Sequence, residues 1–261
     1  MPVITLLSDF GLEDGYVAAM KGVIVTIAPE ARLVDITHLV PPQDVASGRF
    51  RLLTVSRFFP SGTVHLAVVD PGVGTSRRAI AIRSQGGYFF VGPDNGLLTG
   101  ALETDPPAAA VELTEPRFWR SPAPSATFQG RDVFAPVAAH LAKEMPLEAL
   151  GQTIDPAKLF RLALAPCEAV PGGFSGAIQA VDRFGNLITN VPGELVTGQP
   201  GWTASIAGRS IPGRRTYADV LAGELVAVVG SHELVEVAVN RGDAGRTLGA
   251  RIGDPVQIRR G

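Results

Sequence analysis

The chain has 261 residues, enough for one large domain or two ordinary ones, and its 46% hydrophobic and 18% charged residues are typical of a globular protein. A net charge of −2 without a basic run excludes the electrostatic signature of a nucleic-acid-binding protein, and no apolar run approaches the roughly 20 residues that a membrane helix requires. The single cysteine, Cys167, excludes an internal disulfide and favours a cytoplasmic protein, and the four scattered histidines lack metal-ligand spacing.

Strands and helices are expected to alternate over the first 69 residues. Apolar residues at helical spacing predict two helices, the first capped by Asp14 and the second opened by Asp44. The predicted elements are a strand at Val3–Leu7, a helix at Asp14–Ala28, a strand at Leu33–Ile36, a helix from Asp44 to before Pro60, and a strand at Val64–Val69. This order predicts a parallel sheet with right-handed crossovers.

A hairpin of Ala79–Arg83 with Tyr88–Val91, a strand at Ala109–Leu113 and a helix after Asp132 are expected next. Residues 145–173 contain four prolines and only weak periodicity, which is typical of a linker. The sequence therefore predicts an N-terminal α/β domain with a mainly parallel sheet over residues 1–150, followed by a linker to about residue 172.

The last third of the chain consists of short alternating strands separated by glycine turns. They are predicted at Gly176–Asp182, Leu187–Asn190, Thr203–Ile206, Leu225–Val229, Leu234–Val239 and Pro255–Arg259. Regularly spaced short strands predict a smaller all-β sandwich or barrel domain over residues 173–261.

Asp70 follows the apolar strand at Val64–Val69 and precedes the loop Pro-Gly-Val-Gly, and Arg77 comes seven residues after it. An acid at the carboxyl end of a buried strand, before a glycine-rich loop, occupies the position where open α/β sheets bind ligands. A structural ion pair between Asp70 and Arg77 is the other interpretation, and these residues alone favour it.

Three further clusters place polar side chains at the ends of predicted elements, where binding residues concentrate. They are Ser8-Asp9-Phe10-Gly11 with Asp14, Phe128-Gln129-Gly130-Arg131-Asp132, and Asp182-Arg183-Phe184-Gly185-Asn186. Each one alone is compatible with an ordinary turn or helix cap.

Taken together and in this order, the clusters resemble one family, the S-adenosylmethionine (SAM) hydroxide adenosyltransferases, which are adenosine-forming SAM hydrolases related to fluorinases and chlorinases. The matching stretches span both predicted domains. They are LLSDFGLEDGYVAAMKGVI, VDITHLVPPQDV, RFFPSGTVHLAVVDPGVGTSRR, VGPDNGLLT, TFQGRDVFAPVAAHLA, AVDRFGNLITN and SHELVEVAVN.

The resemblance implies an α/β domain and a β-barrel assembled as a homotrimer, with SAM bound between one subunit and its neighbour as the substrate, and no cofactor or metal. Asp9 would bind the ribose diol, because one carboxylate can accept bonds from both hydroxyls. The remaining binding residues implied are Asp14, Asp182 and Ser231 for the methionine end, Asn186 for the adenine edge and Phe184 packed beside it.

The same resemblance implies that Asp70 and Arg77 surround the attacking water as catalytic residues. Gln129 stands where the hydrolases carry histidine in TFHGRD. Glutamine can orient a water, but unlike histidine it cannot take a proton near neutral pH. Two alternatives stay open: a protein that binds SAM or adenosine without catalysis, and a SAM-dependent halogenase, which the Asp70 carboxylate disfavours because it would repel a halide.

Overall fold

The computed structural model describes residues 1–261, and the chain divides into two compact units, Met1–Leu162 and Ala163–Gly261. None of its helices combines the length and the apolar composition needed to cross a membrane. Each unit has its own hydrophobic core and is described in turn.

The first unit contains seven strands and four α-helices. The strands are β1 (Val3–Ser8), β2 (Arg32–Thr37), β3 (Val64–Val68), β4 (Ala79–Ser84), β5 (Phe89–Pro93), β6 (Pro107–Glu112) and β7 (Gln152–Ile154), and the helices are α1 (Tyr16–Ile27), α2 (Val45–Ser56), α3 (Ala101–Thr104) and α4 (Ala135–Ala142).

These strands form one sheet in the order β2-β1-β3-β5-β4-β6-β7. Neighbours are parallel from β2 to β5 and antiparallel from β5 to β7. Apolar side chains of β1 point alternately to the two faces: Ile4 and Leu6 join a core with α1 and α4, and Leu7 joins a second core with α2 and α3. Because helices cover both faces, the central strands are buried throughout.

The two predicted helix caps have different outcomes. Asp44 caps α2, since its side chain accepts a hydrogen bond of 2.9 Å from the backbone N–H of Ser47. The predicted cap of α1 by Asp14 is wrong, because the N-cap residue is Gly15 and no side chain bonds the first turn. A capping side chain has to stand at the N-cap to reach the amides of N2 or N3, and Asp14 stands one residue too early.

The second unit is an antiparallel barrel. Its strands are β8 (Glu168–Val170), β9 (Gly173–Val181), β10 (Leu187–Pro192), β11 (Thr203–Ile206), β12 (Arg209–Pro212), β13 (Leu225–Val229), β14 (Leu234–Val239) and β15 (Pro255–Arg259), and its one helix is α5 (Ala244–Leu248). The strand order is β12-β11-β15-β9-β10-β14-β13, with β8 paired to β9.

A bridge between Gly213 and Ala227 joins the two ends of this strand path, so the barrel is nearly closed. A side chain at Gly213 would collide with the ring of Trp202, since a Cβ there would lie 2.2 Å from it. The predicted fold class, an α/β domain with a partly parallel sheet and a smaller β-barrel, is confirmed.

Residues 145–173, predicted as a linker, contain two strands of three residues each. β7 pairs with β6 at the edge of the first sheet, and β8 pairs with β9 in the barrel. Strands this short carry almost no periodicity, so their pairing is set by tertiary contacts. The strand β12 and the short helix α5 were also not predicted from the sequence.

His65 on β3 is fully buried among aromatic rings, with Phe90 stacked 5.1 Å away. Its Nδ1 lies 2.8 Å from the hydroxyl of Thr5, and its Nε2 has no hydrogen-bond partner. Burial lowers the pKa of His65 from 6.5 to about 4, because the charged ring would be desolvated.

We expect this histidine to make the protein less stable in mild acid. Between pH 6.5 and about 4 the unfolded chain binds a proton that the folded chain does not, so the free energy of unfolding should fall as pH falls, by up to about 3 kcal/mol. Urea unfolding at several pH values should show a shallower acid loss for His65→Gln than for the unsubstituted protein. Parallel stability curves over this pH range would contradict the assignment.

Candidate active site

The loop after β3 is organised by an ion pair between Asp70 and Arg77. The Nε of Arg77 donates to both carboxylate oxygens of Asp70, at 2.9 and 3.1 Å, and its Nη2 donates to one of them as well. Both side chains are largely buried, with 6% of Asp70 and 10% of Arg77 exposed. The guanidinium also lies over the ring of Phe134, 5.3 Å from its centre.

Gly74 lets this loop approach the next polar cluster. Its φ is +79°, and a Cβ at this position would lie 2.9 Å from the carbonyl oxygen of Ala126. A residue with a side chain would therefore be strained and would push the two segments apart.

Gln129 joins the ion pair from the other segment. Its Oε1 accepts a hydrogen bond of 2.6 Å from Nη2 of Arg77, so one guanidinium binds both Asp70 and Gln129. Because Arg77 binds the amide oxygen of Gln129, this side chain has mainly its NH2 group left for another partner, and an NH2 group donates hydrogen bonds.

Asp132 anchors the segment that carries Gln129. Its carboxylate, 1% exposed, accepts hydrogen bonds from Arg131 at 2.6 and 2.8 Å, from Arg120 at 2.5 Å and from the backbone N–H of Ser125 at 2.9 Å. The Arg131 bonds hold the pKa of Asp132 well below its usual range; burial opposes them, and Arg120 and Ser125 add to the lowering. The chain from 120 to 132 is thus tied to one buried charge.

A cleft of about 390 Å³ opens beside these residues within the first unit. Asp9, Asp70 and Gln129 contribute its polar groups. Phe10, Tyr16 and Phe128 form an aromatic wall, with ring centres 5.1 to 5.8 Å apart. The cleft therefore combines an apolar surface with a few convergent polar groups, the usual composition of a small-molecule site.

Asp9 is held at the edge of this cleft by the backbone, since its Oδ2 accepts a hydrogen bond of 2.8 Å from the N–H of Gln43. Gln43 has a positive φ of 66°, an unusual conformation for a residue with a side chain. Asp14 is exposed in the turn before α1 and does not line the cleft. The structure thus brings Asp9, Asp70, Arg77 and Gln129 together and leaves Asp14 outside this group.

In the barrel, Asp182 organises the turn between β9 and β10. Its Oδ1 accepts from the backbone N–H groups of Phe184 and Asn186, at 2.8 and 2.9 Å, and its Oδ2 accepts from Nδ2 of Asn186 at 3.0 Å. Gly185 completes the turn with a φ of +82°. The ring of Phe184 is left 75% exposed.

Ser231 is exposed in the turn between β13 and β14, and a buried acid lies close to it in the chain. Glu236, 2% exposed, accepts a hydrogen bond of 2.7 Å from the hydroxyl of Tyr217, and His232 Nδ1 lies 4.0 Å away. Burial raises the pKa of Glu236, and the charge of Asp182 adds to this effect. Sequence reasoning missed Glu236; the signal available was an acid inside the apolar strand of Leu234–Val239.

No group of three or more histidine, cysteine or acidic side chains is arranged to hold a metal ion.

Two family models match the chain over most of its length. The SAM hydroxide adenosyltransferase N-terminal domain matches residues 4–151, and the C-terminal domain of the same family matches residues 176–257.

Whole-chain relatives agree with this match. The chain is 46% identical to a protein of Thermus thermophilus named (R)-S-adenosyl-L-methionine hydrolase, covering 99% of this chain and 100% of the relative. It is 44% identical to a protein of the same name from Salinispora arenicola, covering 100% and 98%. Fluorinases are among the more distant relatives. The crystal structure of an uncharacterized conserved protein from Thermotoga maritima superposes with a TM-score of 0.91 at 37% identity, covering 98% of this chain and 99% of that one.

We expect Asp132→Asn to lower the free energy of unfolding by about 1.5–3 kcal/mol at neutral pH, because it removes the buried charge that accepts hydrogen bonds from Arg131 and Arg120, whose guanidiniums keep contact with solvent. Chemical denaturation measures this. Glu115→Gln is the matched control, since the Glu115–Arg117 pair is exposed and contributes little. Equal effects of the two substitutions would show that the Asp132 network does not stabilise the loop.

Proposed function

Since the chain belongs to the SAM hydroxide adenosyltransferase family, we propose that it hydrolyses S-adenosyl-L-methionine to adenosine and L-methionine. Full-length identity to proteins named for this activity supports the proposal. The observation that carries it is the hydrogen-bonded set of Asp70, Arg77 and Gln129 beside a cleft that also contains Asp9. Halide chemistry is disfavoured, because an incoming anion would meet the Asp70 carboxylate while Arg77 already bonds Asp70 and Gln129.

The reaction makes modest demands on the protein. The sulfonium is a cation, and methionine departs from it as a neutral thioether, so no acid is needed to assist the leaving group. The oxygen of water forms a bond to C5′, the C5′–S bond breaks with its electron pair going to sulfur, and the water oxygen releases one proton. Holding the nucleophile in line with C5′ can lower the barrier by roughly 7–11 kcal/mol.

In this mechanism the three catalytic residues have separate tasks. Arg77 favours the hydroxide form of the nucleophile by its positive charge, and Asp70 fixes the guanidinium through its bonds to Nε and Nη2. Gln129, with its oxygen bound by Arg77, offers its NH2 group as a donor to the water. No resident cofactor takes part in the reaction as proposed.

The substrate-binding roles are part of the same proposal. Asp9 would bind both ribose hydroxyls, with its position fixed by the Gln43 amide. Asp14, Asp182 and Ser231 would hold the ammonium and carboxylate of the methionine part, Asn186 would read the adenine edge, and Phe184 would pack against the base.

We also propose that the protein is a cytoplasmic homotrimer whose sites form at subunit interfaces. The proposed binding residues are divided between an α/β domain and a barrel domain, and the exposed Phe184 ring offers an apolar surface that a partner or a ligand would cover. The single cysteine supports the cytoplasmic location.

Incubation with SAM in ¹⁸O-labelled water tests the reaction directly. Mass spectrometry should find adenosine labelled at its 5′-hydroxyl, together with unlabelled methionine, because the oxygen comes from solvent and C5′ is the carbon attacked. Unlabelled adenosine, or a 5′-halogenated product formed efficiently in chloride, would refute hydrolysis. Tight binding of SAM without products would establish the non-catalytic alternative.

The substitution Gln129→His tests whether a proton acceptor is the missing element at this position. General-base assistance contributes typically about 10²–10⁴-fold. At pH values above the pKa of the new imidazole, roughly 6.5 when unperturbed, the variant should therefore react faster than the unsubstituted protein, and this gain should fade in acid. Gln129→Asn is the matched control, since it keeps an amide and adds no base. An unchanged rate would show that Asp70 and Arg77 suffice, and removal of Arg77 would then be the damaging substitution. A slower rate at every pH would refute the prediction and show that the site is built around the amide.

A further inference from the structure

Behind the cleft, three polar side chains without a role in the proposed chemistry form a connected chain. The hydroxyl of Ser8 lies 2.7 Å from Nδ1 of His38, and Nε2 of His38 lies 3.1 Å from Oδ1 of Asp35. Ser8 is 1% exposed and His38 is 3% exposed. Both are therefore too deeply buried to contact a substrate.

The direction of the hydrogen bonds follows from the chemistry of the groups. Asp35 is ionised at neutral pH: burial raises its pKa, but the hydrogen bond from Lys21 and the nearby His38 ring together outweigh this and lower it. A carboxylate only accepts, so the tautomer that fits this contact has its proton on Nε2, which faces Asp35 although the contact is not a well-directed hydrogen bond. Nδ1 is then the acceptor, and the hydroxyl of Ser8 donates to it.

This arrangement leaves the oxygen of Ser8 to accept from the backbone. It does so from the N–H of Phe10 at 3.3 Å, and the carbonyl of His38 accepts from the N–H of Gly11 at 2.8 Å. His38 thus holds Phe10 through its side chain and Ser8, and it holds Gly11 through its backbone carbonyl. Asp9 lies between Ser8 and Phe10, the two residues joined by the first of these bonds, and Phe10 belongs to the aromatic wall of the cleft.

We propose that His38 is a positioning residue that, through Ser8, fixes the loop from Ser8 to Gly11 and so aims the Asp9 carboxylate and the Phe10 ring at the nucleoside part of the substrate. The proposal rests on the proposed function for the identity of that substrate. The tautomer of His38 and the rigidity of the loop are independent of it.

His65 provides a matched comparison within the same sheet. It is equally buried and its Nδ1 also bonds a hydroxyl, that of Thr5, but it packs among aromatic rings, and Thr5, unlike Ser8, is not next in the chain to a residue that lines the cleft. If a buried histidine matters here only for packing, substitutions at the two positions should affect catalysis alike.

Steady-state kinetics of His38→Leu, His38→Asn and His65→Gln separate the two cases. For His38→Leu we expect the KM for SAM to rise about tenfold, as one or two lost hydrogen bonds allow, with kcat within about twofold. The side-chain oxygen of asparagine can replace Nδ1 as the acceptor, so His38→Asn should recover most of the affinity, and His65→Gln should leave KM unchanged.

The proposal is overturned if KM is unaffected in a folded His38→Leu, if asparagine restores nothing, or if His65→Gln raises KM equally. Should His38→Leu fail to fold, Ser8→Ala removes the same hydrogen bond with the ring in place and should raise KM in the same way. Thermal melting of each variant distinguishes a folding defect from a positioning defect.

Two measurements on the ligand-free protein keep the proposal separate from the proposed function. Nitrogen-15 NMR should show Nε2 of His38 protonated and Nδ1 unprotonated. Hydrogen exchange at the amides of Phe10 and Gly11 should be faster in His38→Leu than in His65→Gln. The opposite tautomer, or unchanged exchange, would overturn the positioning role even if SAM is hydrolysed; both results as expected, without any turnover, would refute only the proposed function.

Discussion

One guanidinium connects two of the segments that line the cleft. Arg77 comes from the loop after β3 and binds both Asp70 in its own loop and Gln129 from the segment that leads into α4. These segments are far apart in the chain, and the close approach of Gly74 to the carbonyl of Ala126 brings them into contact. Because arginine presents several donors in a fixed planar geometry, it can hold two acceptors at a defined angle, which lysine could not do.

This arrangement explains why the surrounding loop is so firmly anchored. Gln129 can bind Arg77 only if the segment before α4 is ordered, and Asp132 orders it with a buried charge bonded to Arg120, Arg131 and the Ser125 amide. The loop after β1 is tied down separately through Ser8 and His38. Each loop at this edge of the sheet is therefore fixed by its own polar network, while the strands provide a rigid, apolar base.

Much of this architecture could be predicted from the sequence, because long apolar strands and amphipathic helices have clear periodicity. The order of β1, α1, β2, α2 and β3 follows from that pattern, and so does the cap at Asp44. The three-residue strands β7 and β8 could not be predicted, because their only cause is pairing with β6 and β9.

The chemistry of individual side chains was harder to predict than the fold. The spacing of Asp70 and Arg77 was compatible with an ion pair, but nothing in the sequence indicated that Arg77 also binds Gln129. The buried state of Glu236 and the contact of His38 with Ser8 likewise depend on strand register and on residues 19 to 30 positions away. Such contacts form only in the folded chain, so they cannot be predicted from the local sequence.

The neutrality of the Asp70–Arg77 pair has a consequence for turnover. At longer range these two charges cancel, so Asp9 gives its cleft a negative character that attracts a sulfonium cation, while the Arg77 guanidinium acts on the nucleophile only at contact distance. In the proposed reaction that positive charge is abolished when the C5′–S bond breaks, and both products leave the site without it. The products therefore lose the attraction that acts on the sulfonium and keep only the hydrogen bonds to the ribose and to the ammonium and carboxylate groups, so each product should bind more weakly than the substrate.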